Sequence, residues 1–126
     1  MASKISQWNF EGPTAAESIA TNNDVLDSWG SNNGTITLAH EPVVKIVPNC
    51  ISGKCLSFGG SAYIEVTDNP NLNMQTDLTI SVWFKANSSV SKTLLSKNNV
   101  VAGAGQPSYT IDLGTNGLRF LDTTLC

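Results

Sequence analysis

The stretch Asp77-Leu78-Thr79-Ile80-Ser81-Val82-Trp83-Phe84-Lys85 constrains the fold of this chain more than any other. It crowds β-branched and aromatic residues into a short run behind a turn-forming aspartate, the signature of a strand. In a strand, Ile80, Val82 and Phe84 point to one face and Thr79, Ser81 and Trp83 to the other. The first face is predicted to be buried. The second, polar but for one indole, is suited to a second layer, a ligand or solvent.

Shorter runs of the same kind surround it. Ile5 to Phe10 alternates, with Ser6, Trp8 and Phe10 on one face; the two rings read as core anchors, with a sugar platform as the alternative. Thr14-Ala15-Ala16-Glu17 has the spacing of a capping box and is expected to form one helical turn. Thr21-Asn22-Asn23-Asp24 reads as loop. Thr35 to Leu38 and Val43 to Val47 are predicted strands, the second stopped by Pro48. Cys55 to Phe58 and Tyr63 to Val66 flank Gly59-Gly60-Ser61-Ala62, which reads as a hairpin connection. Leu72 and Met74 are expected to plug a gap below the Asp68-Asn71 turn. Thr93 to Lys97 is a further strand, followed by a Gly-rich loop over Asn98 to Pro107 of the kind that often carries binding function. Tyr109 to Gly114 and Leu118 to Leu121 close on Thr115-Asn116-Gly117, a strong hairpin signal.

Several of these segments recur in a familiar order. Gly53-Lys54-Cys55-Leu56-Ser57-Phe58-Gly59-Gly60, then Tyr63-Ile64-Glu65-Val66, then Leu78 to Lys85 resemble the motifs of the laminin-G-like, concanavalin A-like domains. Trp8-Asn9-Phe10 with Glu11-Gly12, Asp27-Ser28 and Asn32-Asn33-Gly34-Thr35 fit that family's opening, and the resemblance spans about residues 5–121. It implies an all-β fold, an antiparallel β-sandwich of the jelly-roll type, as a single domain over 1–126. Similar domains continue for several strands after the last hairpin. The resemblance therefore also implies a sandwich short of its C-terminal strands: a compact variant, a fragment, or a subunit completed by a neighbouring chain.

Bulk properties narrow the function. Charged residues make up 13% of the 126 residues, about half the usual share, and Asn, Ser, Thr and Gly take their place. Such a hydroxyl- and amide-rich surface points to an extracellular protein, although Met1-Ala2-Ser3-Lys4 does not lead into the apolar core of a signal peptide. A net charge of −3 with scattered Lys and Arg argues against nucleic acid as a partner. No apolar run approaches the roughly 20 residues of a membrane helix.

Cys50 and Cys55 bracket a short segment containing Gly53, so a disulfide closing a small loop is one reading and two small buried residues the other. Cys126, at the end of the chain, is a candidate for an intermolecular bond. Asp27-Ser28-Trp29-Gly30-Ser31-Asn32-Asn33-Gly34 gathers a carboxylate, side-chain amides and glycine carbonyls, the hard oxygens calcium prefers. The resemblance implies a structural calcium ion held by Asp27, Asn32 and Gly34. The competing reading is an Asx-rich turn whose side chains bind their own backbone.

Catalysis finds no support in the sequence. Glu65 and Asp68 are the nearest carboxylate pair, but one is placed in a strand and the other in the following turn, unlike a glycosidase pair facing one groove. His40 lacks a nucleophile-elbow partner. The expectation is a non-catalytic carbohydrate-binding or adhesion module. Trp29, Trp83 and Tyr109 are its candidate stacking rings, and a carbohydrate or glycoprotein is its ligand. The alternatives are a structural subunit of an extracellular assembly joined through open strand edges and Cys126, or a fragment of a larger glycan-active protein.

Overall fold

The computed structural model describes residues 3–36, 44–48, 50–59, 62–74, 77–87, 91–97 and 109–122. Among them the regular structure is β-strand, in three small antiparallel sheets, with 3-10 turns at Asn22–Asp24 and Pro70–Leu72. The fold is all-β. The chain divides into two compact units, Met1–Asn69 and Pro70–Cys126.

The first unit holds two strand pairs. Strands β1 (Gly34–Ile36) and β4 (Ile64–Val66) pair with Ile36 opposite Ile64, and β2 (Val44–Val47) pairs with β3 (Cys55–Phe58) with Ile46 opposite Leu56. The Cys50–Cys55 disulfide is formed, with Cα atoms 5.8 Å apart, and closes the turn that leads into β3. β3 pairs with β2 and not with β4, so Cys55–Phe58 and Tyr63–Val66 do not form the expected hairpin; Gly60 and Ser61 of its connection lie outside the described residues.

Ser18 and Ile19 extend the outer edge of β2. Ile19 bridges Lys45, and the Ile46 N–H donates to the Ser18 carbonyl at 2.9 Å. The predicted helical turn at Thr14–Glu17 appears as a non-helical turn, with Glu17 at φ 66°. Ala20, Val25, Ile36 and Ile46 form the buried core, with Phe10, Leu56, Ala62 and Ile64 packed around it. Each fully buried Val or Ile contributes roughly 1.5–3 kcal/mol. Residues 5–10 join no ladder among the described residues. Their burial nonetheless alternates as predicted, with Ser6, Trp8 and Phe10 turned partly inward and Gln7 and Asn9 outward.

The second unit contains a meander of β5 (Lys92–Lys97), β6 (Tyr109–Gly114) and β7 (Gly117–Asp122). The expected hairpin is present, with Gly114 opposite Gly117 and Gly117 at φ 123°, the left-handed region a residue with a side chain avoids. Tyr109, Ile111 and Leu113 share a face with Leu118 and Phe120, through the pairs Ile111–Phe120 and Leu113–Leu118. The opposite face is polar: Thr93 Oγ1 donates to Asp112, Ser96 meets Thr110, and Arg119 bridges Asp112 at 3.3 Å.

The run 77–85 corrects the sequence reading. It joins no ladder among the described residues; Ile80 is half-buried, while Val82 and Phe84 are exposed. A strand buries an apolar face only as part of a sheet, and among the described residues no neighbouring strand supplies the second row of side chains. Leu72 and Met74 are half-buried. The last two residues of the predicted strand 35–38, together with Val43, His40, Cys126 and the loop 98–107, lie outside the described residues.

Candidate ligand-binding site

In the first unit, the loop between the Asn22–Asp24 turn and β1 is organised by one buried carboxylate. Asp27 Oδ1 accepts the backbone N–H groups of Gln7, Trp29 and Gly30 at 3.0, 3.0 and 2.8 Å, and Oδ2 accepts that of Asn32 at 3.0 Å. The Asp27 N–H donates in turn to Asn33 Oδ1. Burial alone would push the carboxyl upward, but the hydrogen bonds from Gln7, Gly30, Ser6 and Trp29 outweigh it and hold the group well below the usual carboxylate range. The loop wraps around its own aspartate, as an Asx-type turn does.

That arrangement decides how Asp27, Asn32 and Gly34 meet the expected calcium ion. Four N–H groups aim the positive ends of their dipoles at the carboxylate, where a cation would have to approach. The Asn32 carbonyl is taken by the Trp8 indole N–H at 2.8 Å, and the Asn32 side-chain amide donates to Ser6 Oγ. Gly34 lies inside β1, packed against Ile64 and Val25. The donor set as folded does not fit calcium, which needs six or more converging oxygens. Among the described residues no three His, Cys, Asp or Glu side chains converge on a metal position.

A second buried carboxylate escaped the sequence reading. Asp24 Oδ1 accepts the Thr14 N–H at 3.1 Å, and Oδ2 accepts the Thr14 hydroxyl together with the Thr21 N–H and hydroxyl at 2.7 and 2.9 Å. Burial opposes its ionisation, yet these donors lower its proton affinity. The signal was present. Thr21-x-x-Asp24 has the same three-residue spacing that was assigned to Thr14–Glu17, and it is the pair that closes.

Trp29 stands out from this frame. Its ring is 62% exposed, its Nε1–H donates to the Lys4 carbonyl at 2.9 Å, and Lys4 Nζ lies 4.4 Å from the ring centroid. The indole is thus fixed in place with its polar handle satisfied and apolar surface facing water. Lys4 carried no signal of its own at the sequence level.

In the second unit the two remaining candidate rings part company. Trp83 is 78% exposed. Tyr109 is buried, with its hydroxyl donating to the Leu72 carbonyl at 3.1 Å, and burial raises the proton affinity of its phenol. It offers no face for a ligand to stack on. Its alternation with Ile111 along β6 places it in the apolar row of the sheet.

No protein-family model matches the chain, and no curated protein or solved structure matches it either. No helix among the described residues is long and apolar enough to cross a membrane.

Proposed function

We propose that this chain is a non-catalytic extracellular carbohydrate-binding or adhesion module, its strands belonging to a jelly-roll sandwich of the laminin-G-like kind. The observation that carries the reading is Trp29. An indole fixed by its own N–H and left largely exposed is a ready platform for the apolar face of a sugar ring, which stacks on aromatic surfaces at low entropic cost. Ser28, Ser31 and Asn33 neighbour it in the loop as exposed polar groups suited to sugar hydroxyls. Trp83, exposed in the other unit, is a separate candidate. The disulfide and the low charge content favour an oxidising, extracellular setting. The test is a glycan array read with the intact chain and with Trp29→Ala. Retention that vanishes in the variant supports the reading, and equal retention or none overturns it.

A second reading is favoured by β7. Among the described residues it is an edge of its sheet, and Leu118, Phe120 and Leu121 on it are about half exposed or more. A structural subunit that assembles through open strand edges would present such a strand. Light scattering that shows a concentration-dependent polymer, with no glycan retained, selects this reading over the first.

A further inference from the structure

The Cys50–Cys55 turn grips a distant part of the chain. Lys54, next to the disulfide, donates its backbone N–H to Glu11 Oε1 at 2.8 Å, and its ammonium donates to the carbonyls of Gly12 and Thr14. Gly53 beside it sits at φ 55°, and a side chain there would collide with the Glu11 carboxylate. Thr14 passes the grip inward, since its N–H and hydroxyl both end on buried Asp24.

The gripped segment is under backbone strain. Phe10, immediately before Glu11, adopts φ 57°, a region that bulky residues avoid unless surrounding contacts impose it. Residues 11–14 join no ladder, so side chains and caps hold them in place of strand pairing. Gly12 itself lies against Asn23 and Asp24, too close to admit a Cβ. The strained strap is therefore held by Lys54 on one side and by Asp24 on the other, and Lys54 stands next to the covalent turn.

We propose that the Cys50–Cys55 disulfide is a redox latch on this N-terminal strap. A dithiol reductant attacks one sulfur through its thiolate, forms a mixed disulfide, and leaves as its own cyclic disulfide. Cys50 and Cys55 become thiols, taking up the two electrons and the two protons that the dithiol gives up. Both cysteines are half-buried, and Ile51, Ser52 and Gly53 between them are exposed, so the turn that carries the bond lies at the surface. With the turn released, Lys54 loses its fixed geometry, and residues 11–14 leave while Phe10 relaxes to negative φ. The Asp27 loop keeps its hold on Gln7, so the change stays local.

The test is hydrogen exchange on the intact chain with and without dithiothreitol, read at single amides. The amides of Lys54 and Thr14 should exchange at least tenfold faster after reduction, while those of Gln7, Gly34 and the β6–β7 ladder keep their rates. Unchanged rates at Lys54 and Thr14 overturn the proposal. So does a loss of protection that spreads to Gly34, because that describes a general brace and not a latch. Lys54→Ala, with the disulfide intact, should accelerate Thr14 by itself and make it indifferent to dithiothreitol. A Thr14 amide that stays protected in this variant also overturns the proposal.

Discussion

Gly30 and Asp27 are in contact in two ways. The Gly30 N–H donates to Asp27 Oδ1 at 2.8 Å, and a Cβ added to Gly30 would fall 2.8 Å from Oδ2 and 2.5 Å from the Ile5 carbonyl. The carboxylate could swing aside only by dropping its other donors, and the Ile5 carbonyl belongs to the backbone. Gly30→Ala is therefore expected to destabilise the first unit by about 1–3 kcal/mol, the range of overpacking in tight sites. Denaturant unfolding of the variant checks it, and a change below a few tenths of a kcal/mol would show that the loop yields freely.

Asp24 and Asp27 give the first unit a defined acid sensitivity. Both carboxyls lie below their ordinary value of 3.8 when folded, so the unfolded chain binds more protons as the pH falls through that value. Their stabilisation is fully present above about pH 4 and is lost progressively as the pH falls toward the folded values. Unfolding midpoints should thus be flat from pH 7 to about 5 and then fall steeply in the carboxylate range. Asp27→Asn should flatten that fall and lower stability at pH 7 by roughly 1.5–3 kcal/mol, the usual worth of hydrogen bonds to a charged group. A variant with the acid slope of the parent would refute the assignment.

The same loop predicts indifference to calcium. A protein that holds an ion only when folded gains stability with its concentration, by about 2.7 kcal/mol at a hundredfold excess over Kd. Because N–H groups already surround Asp27, millimolar calcium or a chelator should leave the Tm unchanged. A rise of several degrees with calcium would mean that the ion displaces those donors.

Particular residues show why the strands were legible and parts of the site were not. Cys55–Phe58, Tyr109–Gly114 and the Asn116-Gly117 turn were readable because alternation and turn chemistry are local, and these elements formed as expected. The run 77–85 has the strongest local pattern, yet it joins no ladder among the described residues, since pairing depends on a partner that the run itself does not encode. The spacing of Cys50 and Cys55 left a disulfide and two small buried residues both open, and it said nothing of the pairing of β3 with β2. In the site, the loop that carries Asp27 was conspicuous. Three of the backbone donors to Asp27, those of Trp29, Gly30 and Asn32, are local and agree with the Asx-turn reading, but the fourth, Gln7, lies 20 positions away, beyond the reach of a local pattern.

Two of the candidate rings, Tyr109 and Trp29, separate experimentally. Tyr109→Phe removes the hydroxyl bonded to Leu72 and should cost about 1 kcal/mol, with no effect on any glycan retained. Trp29→Ala should do the reverse. It loses the contact with Lys4, worth about 0.5–1 kcal/mol at an exposed site, and abolishes retention. If Tyr109→Phe weakens binding while stability holds, the buried placement of that ring is wrong for the bound state.

One cross-strand face of the second unit yields opposite expectations for two of its residues. Ile111 is 8% exposed in the central strand, whereas Leu118, on the same face of the edge strand, is 60% exposed. Ile111→Ala removes packed methylenes and should cost about 2–5 kcal/mol. Leu118→Lys removes little from the core, so its effect should stay within about 0.5 kcal/mol. Its effect should appear instead in self-association, because a lysine on an exposed edge strand opposes pairing with another chain. Light scattering across a concentration series is the measurement. If the chain assembles through β7, Leu118→Lys shifts it toward the monomer at unchanged stability. An unaltered distribution would move the interface off this edge.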